Sequence, residues 1–253
     1  MSKVIAFAGK GGVGKTTVAS LALHYMDAAK KSPVLAVDAD PNSNLGETIG
    51  LEITTTIGDI RESYMKDPQG VPSGMDKVNY LETLVEQALI EKPSFDLLVM
   101  GRQEGQGCYC MVNNILHNFT DKLSSHYKYM IVDNEAGMEH LSRRTSGKVD
   151  MLFLVTDYSL RGLRAVRRIN SMLESLKLQV SNLAIVVTRG PEKLSDAFLK
   201  EVKEIGLPIA GVIPHDPSLL EFDMECRSLL ELPKDSLSVQ AVYNLMDEYC
   251  PTA

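Results

Sequence analysis

The sequence has no tryptophan, only four cysteines, and no run of 18 apolar residues. Four scattered cysteines are too few for a disulfide scaffold, and the missing apolar run excludes a membrane-spanning helix. Basic residues are also in deficit, with 26 Lys and Arg against 33 Asp and Glu. The net charge of −7 argues against general attraction to nucleic acid or anionic membrane. The apolar stretch at the amino terminus is too short for a secretion signal, so we predict a cytoplasmic protein with no membrane or nucleic-acid partner.

What the sequence does contain is typical of an α/β protein. It has 253 residues, of which 44% are hydrophobic, enough to bury a substantial core. Short apolar runs alternate with segments of helical period, which predicts a mainly parallel sheet of about seven or eight strands with helices on both faces. The runs lie at 4–8, 34–37, 97–100, 129–132, 151–155, 183–187 and 209–213. No boundary is evident, so residues 1–253 are predicted to form a single domain.

A phosphate-binding loop follows the first apolar run. Residues 9–17 read GKGGVGKTT, which satisfies G-x-x-x-x-G-K-[ST] between a strand and a helix. The glycines let successive N–H groups converge on phosphate oxygens, Lys15 brings a positive charge to the β- and γ-phosphates, and Thr16 offers a hydroxyl to Mg²⁺. The predicted phosphate-contacting residues are Gly9, Lys10, Gly11, Gly12, Val13, Gly14, Lys15, Thr16 and Thr17.

The additional lysine of this loop, Lys10, indicates a particular subclass of P-loop protein. GKGGVGKTT resembles the deviant Walker A motif of the MinD, ParA and nitrogenase iron protein class of P-loop ATPases, and the resemblance covers most of the chain. It implies Mg²⁺-dependent hydrolysis of ATP to ADP in a nucleotide-sandwich homodimer. In that arrangement Lys15 acts on the bound nucleotide of its own subunit and Lys10 reaches the ATP of the partner, so both are expected to be catalytic.

Acidic residues end two of the apolar runs. Residues 34–42, VLAVDADPN, resemble the switch I segment of the same class, which implies that Asp40 orients the attacking water and that Asp38 lies near the water shell of Mg²⁺. Residues 129–133, YMIVD, resemble a Walker B strand, so Asp133 is expected to be an outer-shell partner of Mg²⁺. Residues 134–140 occupy the position of switch II.

The base-contacting residues are expected later in the chain. Where the class often has an asparagine followed by a basic residue, this sequence has Thr188 and Arg189. A threonine offers a base one hydroxyl, where an asparagine amide offers both a donor and an acceptor. The choice between ATP and GTP therefore stays open, with ATP favoured. The segment IPHD at 213–216 resembles the loop that closes over the nucleoside, which implies contacts from Pro214 and Asp216.

Two of the cysteines stand one residue apart, in GQGCYC at 105–110. Cys108 and Cys110 are too close for an unstrained disulfide, and two thiolates underfill a metal site that needs four donors. A two-fold dimer would supply four sulfurs on its axis. The dimer that Lys10 implies is therefore also the dimer that an intersubunit metal site requires.

With the Cys-x-Cys pair and EAGMEH at 135–140, the sequence resembles the CooC family of nickel-insertion ATPases. The resemblance implies a metallochaperone that holds Ni²⁺, for which Zn²⁺ may substitute, and serves carbon monoxide dehydrogenase or acetyl-CoA synthase. An iron–sulfur scaffold or an electron-transfer ATPase remains an open alternative, since four thiolates can hold either a nickel ion or an iron–sulfur cluster. A positioning ATPase of MinD or ParA type is disfavoured, because residues 239–250 contain no Lys or Arg. Cys226 is expected to pack within a helix at 219–232, and Cys250 is given no role.

Overall fold

An eight-stranded sheet forms the centre of the molecule. The computed structural model describes residues 2–102, 115–116, 118–119, 122–135, 148–175 and 178–250. The strands of the central sheet are β1 (Lys3–Ala8), β2 (Val34–Ala39), β3 (Ile90–Glu91), β4 (Asp96–Val99), β5 (Tyr129–Asn134), β7 (Met151–Asp157), β9 (Leu183–Gly190) and β10 (Ile209–Pro214). A separate two-stranded sheet consists of β6 (Lys148–Val149) and β8 (Gln179–Val180).

The helices lie mostly between successive strands. In the described part of the chain they are α1 (Lys15–Ala28), α2 (Asn44–Thr48), α3 (Ile57–Lys66), α4 (Lys77–Ala88), α5 (Leu160–Ser175), α6 (Asp196–Ile205), α7 (Pro217–Met224) and α8 (Leu237–Tyr249). A short 3₁₀ helix spans Leu229–Glu231. Side chains cap the amino termini of several helices. Thr56 and Asp59 form a capping box at α3, and Asp76 caps α4.

The strands are ordered β10-β9-β7-β1-β5-β2-β4-β3, and every neighbouring pair is parallel except the antiparallel pair of β3 with β4. All six residues of β2 are buried, as expected of a parallel strand covered on both faces. The predicted mainly parallel α/β fold is therefore confirmed. Since the strands run in one direction, the carboxyl ends of β1, β2, β5, β7 and β9 meet at one edge, where open α/β sheets bind ligands.

Two hydrophobic cores cover the two faces of the sheet. In β1, Val4 and Ala6 belong to one core while Ile5 and Phe7 belong to the other, because successive side chains point to opposite faces. Buried residues of α3, α4, α5 and α6 join the first core, and those of α1, α2, α7 and α8 join the second. The helices thus lie on both faces, as the sequence predicts.

The structure corrects the expectation for the last two cysteines. The segment 219–232 is not one helix, because α7 ends at Met224 and Cys226 is exposed with a φ of 52°. Cys250 is fully buried, and the Lys31 ammonium donates to its carbonyl oxygen at 2.8 Å. Among the described residues, no helix is long and apolar enough to cross a membrane.

Candidate active site

The phosphate loop joins the carboxyl end of β1 to the first turn of α1. A Cβ on Gly9 would lie 2.2 Å from the carbonyl oxygen of Val155 in β7, so only glycine allows this close approach. Gly14 precedes α1 with a φ of 88°, in the left-handed region that glycine adopts without strain. The loop therefore packs tightly on the sheet and turns sharply into the helix, which leaves N–H groups of the first helical turn free for an anion.

The two lysines of the loop occupy different environments. Lys15 is 7% exposed, and its ammonium donates to the carbonyl oxygen of Lys10 at 3.5 Å. Lys10 is exposed at the surface of the loop. Lys15 thus lies within the loop beside the expected phosphate position, whereas Lys10 is accessible from outside the subunit. The predicted division between a lysine acting in its own subunit and one acting on a partner stays a prediction.

A buried carboxylate lies directly behind the loop. The hydroxyl of Thr16 donates to Oδ2 of Asp133 at 2.6 Å, at the end of β5. Oδ1 of Asp133 is buried without a hydrogen-bond partner among the described residues. Burial, supported by the neighbouring Asp38 and Asp40, raises the pKa of Asp133 to about 7 against the opposing effects of Thr16 and Lys15. Asp133 therefore carries an acceptor oxygen that no group in the described part of the chain satisfies.

Two more carboxylates come from the end of β2. Asp38 stands opposite Asp133 in the pairing of β2 with β5, and it accepts hydrogen bonds from the N–H groups of Leu45 and Asp40, at 2.8 and 3.1 Å. Burial raises the pKa of Asp38 to about 6. Asp40 accepts from the backbone N–H and the side-chain amide of Asn42, at 2.9 and 3.0 Å, which fixes its position at the sheet edge.

These residues fit the predicted Mg²⁺. Three buried carboxylates in one place are costly unless a cation lies among them, and Oδ1 of Asp133 is an orphaned acceptor. No group of three or more His, Cys, Asp or Glu side chains in the described part of the chain is arranged to hold a metal directly. The arrangement suits an ion held by the Thr16 hydroxyl, with Asp38 and Asp133 reached through its water. A Mg²⁺ ion bound there would neutralise negative charge on the phosphates.

Beside the phosphate loop lies a cleft of about 610 Å³, which we call the nucleoside cleft. Its walls come from α1, α2, α7 and the ends of β9 and β10. All four residues predicted to contact the nucleoside line it: Thr188, Arg189, Pro214 and Asp216. The sequence-based interpretation did not include further lining residues on α2 and near α7, such as Glu47, Thr48, Leu220 and Arg227. No local motif marks them, because they meet only through the fold.

Three polar side chains of the nucleoside cleft, those of Thr188, Arg189 and Asp216, are engaged within the protein. The hydroxyl of Thr188 donates to the carbonyl oxygen of Val13 at 2.7 Å, and Nη2 of Arg189 donates to that of Gly12 at 2.9 Å. Asp216 accepts five hydrogen bonds, from the N–H and hydroxyl of Ser218, the N–H and hydroxyl of Ser238, and the hydroxyl of Ser236. Although burial opposes it, these bonds hold the pKa of Asp216 well below its usual value.

The base-contacting roles of Thr188, Arg189, Pro214 and Asp216 stay predictions. The carboxylate of Asp216 joins the start of α7 to the start of α8, a structural role that sequence reasoning missed. The predicted metal ligands Cys108 and Cys110 lie outside the described residues, as do residues 136–140 of the switch II segment.

A phosphate loop between the first strand and first helix, with carboxylates at the ends of neighbouring parallel strands, defines a P-loop nucleotide hydrolase. Residues 4–229 match the CobQ/CobB/MinD/ParA nucleotide binding domain, and the chain belongs to this family.

Individual relatives cover nearly the whole chain. An uncharacterised ATP-binding protein of Methanocaldococcus jannaschii is 39% identical over 247 residues, spanning 97% of this chain and 96% of that protein. The carbon monoxide dehydrogenase accessory protein CooC of Rhodospirillum rubrum is 29% identical over 243 residues, spanning 90% and 89%. The structure of the cell division protein MinD from Aquifex aeolicus superposes with a TM-score of 0.70 at 22% identity, covering 100% and 98%. The protein is accordingly an ATPase of the MinD, ParA and nitrogenase iron protein class.

Proposed function

We propose that this ATPase is a metallochaperone of CooC type, which forms a nucleotide-dependent homodimer and carries Ni²⁺ on Cys108 and Cys110 of both subunits. Its client would be carbon monoxide dehydrogenase or acetyl-CoA synthase. The observation that carries the proposal is the Cys-x-Cys pair within a chain 29% identical to CooC of Rhodospirillum rubrum over 90% of its length. ATP binding and hydrolysis would close and open the dimer and so change the thiolate site.

The chain enters the segment that contains the cysteine pair beside the nucleotide site. After β4, the N–H of Met100 donates to the carbonyl oxygen of Asp38 at 2.8 Å, which anchors the chain beside the switch I carboxylates. Cys108 follows Arg102 by six residues, a length that spans at most about 22 Å. On the other side, Leu116 is buried in the core.

The two remaining cysteines are poor alternatives. Burial raises the pKa of the Cys250 thiol, which disfavours the thiolate that a metal needs. Cys226 is exposed but lies far along the chain from Cys250, and the described residues supply no cluster of ligands around either one. Cys108 and Cys110 are therefore the pair to test.

The metal site is tested by anaerobic titration of the reduced protein with Ni²⁺, with and without ATP. We expect a thiolate-to-nickel charge-transfer band that saturates at one metal per dimer, with the oligomeric state followed by size-exclusion chromatography. The double variant Cys108→Ser/Cys110→Ser should lose the band while it still binds ATP. Cys226→Ser is the matched control, because it removes an exposed thiol outside the proposed site, and it should titrate as the wild type does.

Other outcomes overturn the proposal. Nickel binding that persists in the double variant would remove the site assignment. Protein that takes up iron and sulfide on the same two cysteines, with no nickel band, would instead be an iron–sulfur scaffold. ATP binding by the wild type is recorded in the same experiment, so a failed metal site is distinguished from an inactive preparation.

The dimer is tested by mixing two inactive variants. If Lys10 acts on the partner's nucleotide, Lys10→Ala and Asp40→Ala should each lose hydrolysis. A mixed dimer would then contain one complete site, made of Asp40 from the first variant and Lys10 from the second. Statistical mixing of equal amounts predicts recovery of about a quarter of the wild-type rate. A mixture no more active than its separate components would contradict a shared site.

A further inference from the structure

The end of β9 contains an irregularity directed at the phosphate loop. In the pairing of β10 with β9, Ile213 stands opposite Thr188 while the next residue, Pro214, stands opposite Gly190. Arg189 is therefore an extra residue in one strand, a bulge, and its φ of 52° places it in the left-handed region that non-glycine residues rarely adopt. Bulges re-aim side chains, and here the guanidinium reaches the carbonyl oxygen of Gly12 at 2.9 Å.

The preceding residue contacts the next carbonyl of the same loop. The hydroxyl of Thr188 donates to the carbonyl oxygen of Val13 at 2.7 Å, with the carbonyl oxygen of Thr156 more distant at 3.2 Å. Thr188 is 6% exposed, and its backbone is paired with Asp157 of β7 on one side and with Ile213 on the other. Two adjacent residues of a fixed strand thus hold two adjacent carbonyls of the loop.

Fixing these carbonyls also fixes the N–H groups of the loop. The peptide bond is planar and trans, so its N–H points opposite to its carbonyl. The peptide whose oxygen faces Arg189 carries the N–H of Val13, and the peptide whose oxygen faces Thr188 carries the N–H of Gly14. Both N–H groups are consequently turned away from β9. Backbone N–H groups aligned in this way bind phosphate oxygens only while that alignment is held.

We infer that Thr188 and Arg189 form a loop clamp, a pair of positioning residues that keeps the phosphate loop in its phosphate-binding conformation. The proton of the Thr188 hydroxyl is engaged by the loop, so this residue governs affinity for the phosphate chain rather than the choice of base. The inference rests on nucleotide binding at the loop and is independent of the metal proposal.

The test compares ligands with and without a base. Binding of ATP, GTP and inorganic tripolyphosphate, each with Mg²⁺, is measured by calorimetry for the wild type and Thr188→Val, which replaces the hydroxyl by a methyl group of similar size. We expect the affinity for all three ligands to fall by about tenfold, by the same factor. Thr188→Ser keeps the hydroxyl and should restore binding. Thr156→Val is the matched control, a buried strand threonine whose hydroxyl does not contact the loop, and it should bind tripolyphosphate as the wild type does.

A second variant keeps the test decisive if Thr188→Val folds poorly. Arg189 is exposed, so Arg189→Ala should fold normally and weaken tripolyphosphate, ATP and GTP binding alike by about threefold to fivefold. Tripolyphosphate affinity unchanged in both variants would overturn the clamp. A change in the ratio of ATP to GTP affinity would show instead that these residues read the base. Wild-type protein that binds no ATP would contradict the ATPase assignment, a different result from either.

Discussion

The two halves of the nucleotide site differ in how certain of their polar side chains are engaged. Around the phosphate loop, Oδ1 of Asp133 is buried without a partner among the described residues, and the ammonium of Lys15 donates to the carbonyl oxygen of Lys10 at 3.5 Å. Across the nucleoside cleft, Thr188 and Arg189 hold loop carbonyls, and Asp216 accepts five hydrogen bonds from serines. The phosphate half thus presents a carboxylate oxygen without a partner in the described part of the chain, whereas Thr188, Arg189 and Asp216 of the nucleoside half are bonded to the protein.

This difference teaches where binding energy and selectivity arise. Unsatisfied charged and polar groups gain most when the ligand provides the missing partner, so the phosphate chain and its Mg²⁺ should dominate affinity. Polar groups that are already bonded to the protein gain little from a base, so Thr188, Arg189 and Asp216 should add little to base affinity, and the apolar lining of the cleft should contribute through contact and shape. Variants in the two halves should therefore differ in what they impair.

The largest effect is expected from removing the charge of the phosphate half. Lys15→Ala should lower ATP hydrolysis by about 100-fold or more, because a preorganised cation at the developing phosphate charge is lost. Steady-state hydrolysis and ATP binding check this. Lys66→Ala, at an exposed ion pair with Glu62 on α3, is the matched control and should hydrolyse ATP normally. Hydrolysis by Lys15→Ala at the wild-type rate would contradict the expectation that the phosphate half dominates the activity.

An intermediate effect, on folding rather than chemistry, is expected in the nucleoside half. Asp216→Asn removes the charge that organises the serines at the starts of α7 and α8, and the free energy of unfolding without nucleotide should fall by about 2–4 kcal/mol at pH 7. Urea unfolding measures it. Asp223→Asn, an exposed carboxylate on the same cleft, should change it by less than about 0.5 kcal/mol.

The pH dependence of that loss has a defined sign. The pKa of Asp216 is lower in the folded protein than in the unfolded chain, so its contribution is complete above the unfolded value of about 3.9. The contribution is lost as the pH falls from there through the folded value. The difference between wild type and Asp216→Asn should consequently shrink below about pH 4. A difference that stays constant into acid would assign the effect to packing.

The smallest effect is expected from the apolar lining of the cleft. Leu220 is 62% exposed and lines the nucleoside cleft, so Leu220→Ala should weaken ATP by about twofold to fivefold and leave tripolyphosphate unchanged. Met224 is on the same helix, is 77% exposed and is not part of the lining, which makes Met224→Ala the control. Calorimetry compares the two ligands. Equal losses for both ligands would mean that Leu220 acts on the loop and not on the nucleoside.

The sequence predicted the features that are local or repeated. The phosphate loop is a contiguous motif, and the seven apolar runs correspond to β1, β2, β4, β5, β7, β9 and β10 because strands covered on both faces lack polar alternation. The strands β3, β6 and β8 were missed, since each has only two residues and no period can be seen over that length.

The parts of the site that the sequence did not predict depend on contacts between distant segments. The hydroxyl of Thr188 donates to Val13, which lies 175 residues earlier in the chain. The local motif around Thr188 predicts a base contact, because a motif contains no information on the direction in which the hydroxyl points. Asp216 is similar, since two of its three serines lie 20 and 22 residues further on. The prediction of one helix at 219–232 was wrong, because apolar residues on α7 and on the short 3₁₀ helix that follows it are both buried, although a turn separates the two elements.

The position of β1 in the sheet has a consequence for synthesis on the ribosome. The phosphate loop emerges before the segments that shape it, because β1 pairs with β5 and β7 and the loop carbonyls are held from β9. A nascent chain that has passed the loop but not Arg189 therefore lacks the neighbours that shape it. Because such non-local pairings form late, the ability to bind nucleotide should be acquired only after Arg189 has emerged, and nucleotide should stabilise chains that have passed this point rather than shorter ones.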